Sequence, residues 1–293
     1  MSRIHDALER TQFGGQPSGP SGAHSQAEFE SAWSTAPAAD VGGPQVERPW
    51  TASVARIKEL GDSGLVRLSS AWRERLAAGP DARPGLVEQF RQLAGTLHHL
   101  QRTKRIRSVM VTSASPGDGK TLTAINLALV LSDSYRANVM LIEADLRNPS
   151  IPNFGSPRDG ACLSDALRAE TDLRLALVQL TPTLNLLPAG QPIPNSIEAL
   201  TSPRMRQIID EATERFDWVI LDAAPIGPTT DPRLLATMVD GTLFVIRAGA
   251  TQFDEVQRGI DALGRANILG VVLNGVQEEA FTSYYGAQPT LTK

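Results

Sequence analysis

From residue 108 onward the chain alternates two apolar patterns. Short runs rich in Val, Ile and Leu fall at 108–112, 139–142, 184–187, 218–221, 242–246 and 269–273. Between them, segments with helical spacing lie near 122–131, 203–215, 233–238 and 254–266. Runs this continuously apolar belong to strands buried on both faces. Their alternation with helices predicts an α/β fold, a mostly parallel sheet flanked by helices. Ahead of the first run, Leu86, Val87, Phe90, Leu93, Leu97 and Leu100 share one helical face. A further helix is expected over 65–78, before the Gly- and Pro-rich stretch 79–85.

The N-terminal part has no such order. Ile4, Ala7, Leu8 and Thr11 predict a short amphipathic helix over 1–12. Residues 13–50 are crowded with Gly, Pro and Ser and are expected to be a disordered linker. A helical linker over 51–81, a main domain over 82–280 and a mobile tail over 281–293 complete the expected organisation. The formal net charge of −4 offers no basic face for nucleic acid. The single cysteine, Cys162, excludes an internal disulfide framework. No run approaches the roughly 18 apolar residues of a membrane span, and no apolar stretch of a secretion signal follows Arg3. A cytoplasmic protein is the expectation.

The first strand runs directly into Ala114, Ser115, Pro116, Gly117, Asp118, Gly119, Lys120 and Thr121. This is the spacing of a phosphate-binding P-loop with Ala at its first position. Glycines let backbone N–H groups turn toward phosphate oxygens, and the following helix presents its positive end to them. Lys120 suits the β/γ-phosphates of ATP, and the Thr121 hydroxyl suits Mg²⁺. Phosphoryl transfer also needs carboxylates at the ends of neighbouring strands. Asp222 closes the run 218–221 in the Walker B position, and Glu143 and Asp145 close the run 139–142, with Arg147 two residues on. The residues expected to carry catalysis are Lys120, Asp145 and Asp222; those expected to hold Mg²⁺ are Thr121, Asp145 and Asp222.

The order of P-loop, I-E-A-D-L-R-N-P and D-x-x-P strand resembles the bacterial tyrosine kinases of exopolysaccharide and capsule synthesis, where the second element is called Walker A′. Glu88-Gln-Phe-Arg91 is similar to the family's E-x-x-R-x-x-R helix of subunit contact. Leu187-Pro-Ala-Gly190 with Asn195 and Glu198, Ser202-Pro-Arg204, Val239-Asp-Gly241 and Gly270-Val-Val-Leu-Asn274 are similar too. The resemblance implies ATP- and Mg²⁺-dependent phosphorylation of protein tyrosines, its own included, between weakly associating subunits. It also implies a membrane-embedded polysaccharide co-polymerase or chain-length regulator that recruits the protein to the inner face of the plasma membrane. A tyrosine phosphatase would be the counterpart.

The chain departs from the pattern in four places. Glu143 stands where Asp is usual, and Ala223-Ala224 follows Asp222. Ala94 replaces the second Arg of the helix, and the tail offers only Tyr284 and Tyr285. Restoring the usual residue by Glu143→Asp is expected to be tolerated or to raise activity. Two other readings fit the same nucleotide apparatus. One is an ATP-binding regulatory subunit of a co-polymerase with little transfer of its own. The other is a partitioning or division-site ATPase, although those proteins carry Lys where this chain has Ser115.

Overall fold

The computed structural model describes residues 70–79, 82–151, 160–171, 173–227 and 229–276. The expected N-terminal helix, the linker over 13–50 and the tail over 281–293 lie outside them.

The elements follow the apolar pattern closely. A four-residue helix α1 (Ser70–Arg73) precedes the long helix α2 (Pro84–Lys104). Then come β1 (Ser108–Ser113), α3 (Lys120–Ser134), β2 (Val139–Glu143), α4 (Leu163–Arg168), β3 (Val178–Thr181) and β4 (Leu184–Leu187). The C-terminal half adds α5 (Ser196–Leu200), α6 (Pro203–Arg215), β5 (Trp218–Asp222), α7 (Asp231–Leu235), β6 (Gly241–Arg247), α8 (Phe253–Leu263) and β7 (Ile268–Asn274). The seven strands form one sheet in the order β3-β4-β2-β5-β1-β6-β7. All neighbours are parallel except β3 and β4.

Side chains alternate between two cores, one on each sheet face. Met110, Met140, Ile142, Leu221 and Phe244 join residues of α4, α6 and α8 on one side. Val109, Val111, Leu141, Ile220 and Val245 join α2 and α3 on the other. Helix α3 is buried around nearly its whole circumference, which explains why its sequence carries little amphipathic signal.

Three details differ from the sequence expectation. The helix expected over 65–78 is helical, among its described residues, only over Ser70–Arg73. The buried amide of Asn126 accepts from the backbone N of Ala77 (2.8 Å) and donates to the carbonyl of Arg75 (3.0 Å). Those backbone groups therefore bond across to α3 rather than along a helix, and Leu76 and Ala77 plug the core. Strand β3 was not anticipated. It is a short antiparallel partner of β4, and Val-Gln-Leu-Thr with alternating burial gives only a weak signal. Ala94, at the position of the missing second arginine, is fully buried in α2, so that position belongs to the core. Beside it, Gly95 lies against the hydroxyl of Tyr135, which donates to the carbonyl of Arg91 at 3.3 Å.

Candidate functional site

Parallel strands bring their carboxyl ends to one edge of the sheet, and the order around β5 decides what meets there. β5 lies between β2 and β1, so Asp222 stands opposite Glu143 on one side and Val111 on the other. The turn after β1 then becomes the P-loop.

That loop holds a shape most residues resist. Gly117 and Gly119 have φ of 87° and 99°, in the left-handed region where a Cβ is unfavourable. The buried Asp118 side chain accepts from the Ser115 backbone N at 2.9 Å and from the Thr251 hydroxyl at 2.8 Å. Its own carbonyl accepts from Nδ2 of Asn274 at 2.9 Å, and the Gly117 carbonyl accepts from Arg247 at 3.2 Å. The Ser115 hydroxyl donates to Glu255 of α8 at 3.0 Å. Sequence reading found the loop but not these supports. Only Asn274 had been singled out, within a longer similar stretch.

A Cβ on Gly119 would meet Nδ2 of Asn274 at 1.9 Å. Gly119→Ala should therefore force the wrong backbone region and expel Asn274 together, destabilising the protein by about 2 kcal/mol. Thermal unfolding checks this, and removing the obstruction with Asn274→Ala should recover only the steric part.

The charged residues converge as the strand ends require. Lys120, at the start of α3, reaches Asp145 with Nζ to Oδ2 at 3.1 Å, and both side chains are buried. Oδ1 of Asp145 accepts from the Asn148 backbone at 3.1 Å. The Thr121 hydroxyl lies 2.9 Å from that of Ser150. Asp222 differs from both. It is fully buried, and neither carboxylate oxygen has a hydrogen-bond partner among the described residues. Burial pushes its carboxyl up to about 7, against the pull of the Lys120 charge and of the nearby Thr121 hydroxyl, which stands outside hydrogen-bond geometry. A buried carboxylate without hydrogen-bond donors among the described residues, beside the Thr121 hydroxyl, is the donor chemistry that suits a hard divalent cation such as Mg²⁺.

Glu143 is bonded differently. Its Oε1 accepts from the backbone N of Ser150 (2.8 Å) and Ile151 (2.6 Å), and its Oε2 accepts from that of Ala189 (3.1 Å). Burial raises its pKa, while the three N–H donors lower it. Arg147 turns away from the P-loop lysine and grips Asp231 with two bonds, of 2.9 and 3.1 Å, and the Pro194 carbonyl at 3.1 Å. Ser196 donates to the same Asp231. Sequence reading did not connect Arg147, Ser196 and Asp231, because Asp231 lies 35 positions from Ser196 and 84 from Arg147. A cleft of about 700 Å³ opens beside the P-loop, lined by Ser115, Arg147, Thr229, Arg233, Glu255 and Arg258 among others.

Comparison with known proteins follows this geometry. No family model matches the chain. Tyrosine-protein kinase YwqD of Bacillus subtilis is 31% identical over 206 residues, 69% of this chain and 86% of that protein. Tyrosine-protein kinase etk of Escherichia coli K12 is 32% identical over 201 residues, 68% of this chain but 28% of its own length. The succinoglycan biosynthesis transport protein ExoP of Rhizobium meliloti is 31% identical over 198 residues, 66% of this chain and 25% of its own. The chain thus spans most of the first relative and little more than a quarter of the other two. Among solved structures, the kinase domain of the Escherichia coli tyrosine kinase ETK matches with a TM-score of 0.60 and 32% identity, covering 65% of this chain and 76% of that one. The BceF tyrosine kinase domain matches at 0.58 and 28%, covering 66% and 78%. Among the described residues, no helix is long and apolar enough to cross a membrane.

Proposed function

This chain belongs to the bacterial tyrosine-protein kinases, and from that premise we propose that it transfers the γ-phosphoryl of ATP to tyrosine hydroxyls, its own included, in control of exopolysaccharide synthesis and export. The observation that carries the reading is Asp222, buried at the end of β5 with both oxygens unpartnered among the described residues and close enough to Lys120 and Thr121 to feel both. Such a group is destabilising unless a cation completes it.

Residues 114–121 would hold the triphosphate through backbone N–H groups and the end of α3. Thr121, Asp145 and Asp222 would hold Mg²⁺, which when bound neutralises charge on the phosphates. Lys120 must leave Asp145 to reach the β/γ-phosphates, and that movement frees the Asp145 carboxylate. Asp145 then accepts the tyrosine proton as the phenolic oxygen bonds to phosphorus and ADP leaves. We place the protein at the inner face of the plasma membrane, recruited by a membrane-embedded co-polymerase. A tyrosine phosphatase would reverse the modification.

The test is incubation of purified protein with labelled ATP and Mg²⁺, with and without the partner's cytoplasmic segment, followed by mapping of phosphotyrosine. The chain has three tyrosines. The Tyr135 hydroxyl is already engaged with Arg91, so Tyr284 and Tyr285 are the expected acceptors. Tyr284→Phe with Tyr285→Phe should remove most of the label. Label confined to Tyr135 would contradict the assignment of acceptors. Tight Mg²⁺-dependent ATP binding without any phosphotyrosine would instead favour a regulatory nucleotide-binding subunit.

A further inference from the structure

The acid that opens the Walker A′ segment is engaged before any ligand arrives. A carboxylate offers about four lone-pair sites. Glu143 has filled three of them with backbone N–H groups, two from the segment after β2 and one from the loop after β4. Its side chain is buried, at 4% exposure, and it stands in register with Asp222, whose oxygens have no hydrogen-bond partner in good geometry among the described residues. Two acids facing each other across neighbouring strand ends are therefore in opposite states. One has three of its sites taken by the protein, and the other has none taken among the described residues.

We propose that Glu143 is a positioning residue that clamps the loop 144–151 against the P-loop, and is not a ligand of the cation. The path is short. Glu143 fixes the backbone of Ser150, and the Ser150 hydroxyl meets that of Thr121 at 2.9 Å. The same loop carries Asp145, so the clamp sets the depth at which Asp145 meets Lys120. The chain length of Glu is what makes this possible. An aspartate carboxylate would end about 1.5 Å nearer the strand, too short to serve Ser150, Ile151 and Ala189 together. Three N–H groups, that of Ala189 buried and those of Ser150 and Ile151 partly so, would lose their acceptor. A clamp at Glu143 thus runs against the expectation that Glu143→Asp is tolerated or raises activity.

Two substitutions separate a clamp from a metal ligand because they rank oppositely. Glu143→Gln keeps the length and one carbonyl oxygen for Ser150 and Ile151, but loses the charge. Glu143→Asp keeps the charge but loses the reach. A clamp predicts that Gln is the milder change, and a cation ligand predicts that Asp is. The first readout is amide exchange in the nucleotide-free full chain, which requires no turnover and is independent of the kinase reading. Exchange at Ser150 and Ile151 should accelerate about tenfold or more in Glu143→Asp and clearly less in Glu143→Gln. The second is the Mg²⁺ concentration that half-saturates binding of a fluorescent ADP analogue. Glu143→Gln should shift it by less than about threefold, whereas Asp222→Asn should shift it by about tenfold or more. Exchange unchanged in Glu143→Asp, or a Mg²⁺ shift in Glu143→Gln as large as in Asp222→Asn, overturns the proposal. Should Glu143→Asp fail to fold, the Mg²⁺ comparison between Glu143→Gln and Asp222→Asn decides alone.

Discussion

Asp222→Asn is expected to abolish phosphoryl transfer and, in the nucleotide-free protein, to raise thermal stability. The first half follows from losing a buried acid of the site whose oxygens both lack a hydrogen-bond partner among the described residues. The second follows from its environment. Burial holds the folded-state carboxyl at about 7, against 3.8 as the ordinary value. A carboxyl raised by folding keeps its proton longer in the folded state than in the unfolded one. Stability therefore falls as pH rises from about 4 to about 7, and then levels off. Above pH 7 the bare charge is destabilising by up to about 4 kcal/mol. Asparagine removes that charge but leaves an unpaired amide, which returns about 1–2 kcal/mol of the gain. The net stabilisation at pH 8 is about 2 kcal/mol, a rise of roughly 4–8 °C in Tm for a domain of this size. The gain should shrink as pH falls toward 4. Melting curves of both proteins at pH 8 and pH 5 check this. A variant no more stable than the parent at pH 8 would show that Asp222 is not left bare in the folded chain.

Lys120→Met should lose nucleotide binding and also stability, and the two losses separate cleanly. The lysine charge is what a triphosphate requires, so affinity for Mg²⁺·ATP is expected to drop by about a hundredfold or more. The fold is affected as well, because Nζ lies 3.1 Å from a buried carboxylate. Removing one member of a buried ion pair leaves the other uncompensated, which costs about 3 kcal/mol. Adding Asp145→Asn to Lys120→Met should recover much of that stability while leaving binding lost. The double-mutant cycle, read by denaturant unfolding and by nucleotide titration on the same samples, tests both halves. Equal losses in the single and double variants would mean that the pair contributes nothing to the fold.

Much of this arrangement was legible because parallel strands buried on both faces advertise themselves as unbroken apolar runs. The acids that end them stand out for the same reason. Asp145 and Asp222 could be placed on neighbouring strand ends, and the P-loop could be read whole, since its eight residues are contiguous. What escaped was whatever acts across distance in the chain. The loop's supports, Arg247, Thr251, Glu255 and Asn274, lie 130 to 156 positions from the atoms they hold. No periodicity encodes such contacts. Glu143 illustrates the limit best. Its position at a strand end marked it as an acid of the Walker A′ segment, but its partners are backbone N–H groups of two loops, and backbone donors leave no trace in residue types. The antiparallel β3 escaped for another reason: four residues with alternating burial are too few to establish a period.

The place of β5 in the sheet has a consequence for how the protein is made. Strands β1 and β2 carry the P-loop and the Walker A′ acids, yet they are not neighbours, since β5 is inserted between them. Ser108 pairs with Val219 and Val139 pairs with Trp218. A ribosome that has released the first two nucleotide motifs has therefore not yet supplied the strand that joins them. Until residues near 222 emerge, the two half-sites have no common sheet to sit on, and apolar edges of both strands stay open to wrong partners. Nucleotide capture is thus a late event in biosynthesis. A chain arrested before 218 should bind no ATP despite carrying every residue of its P-loop.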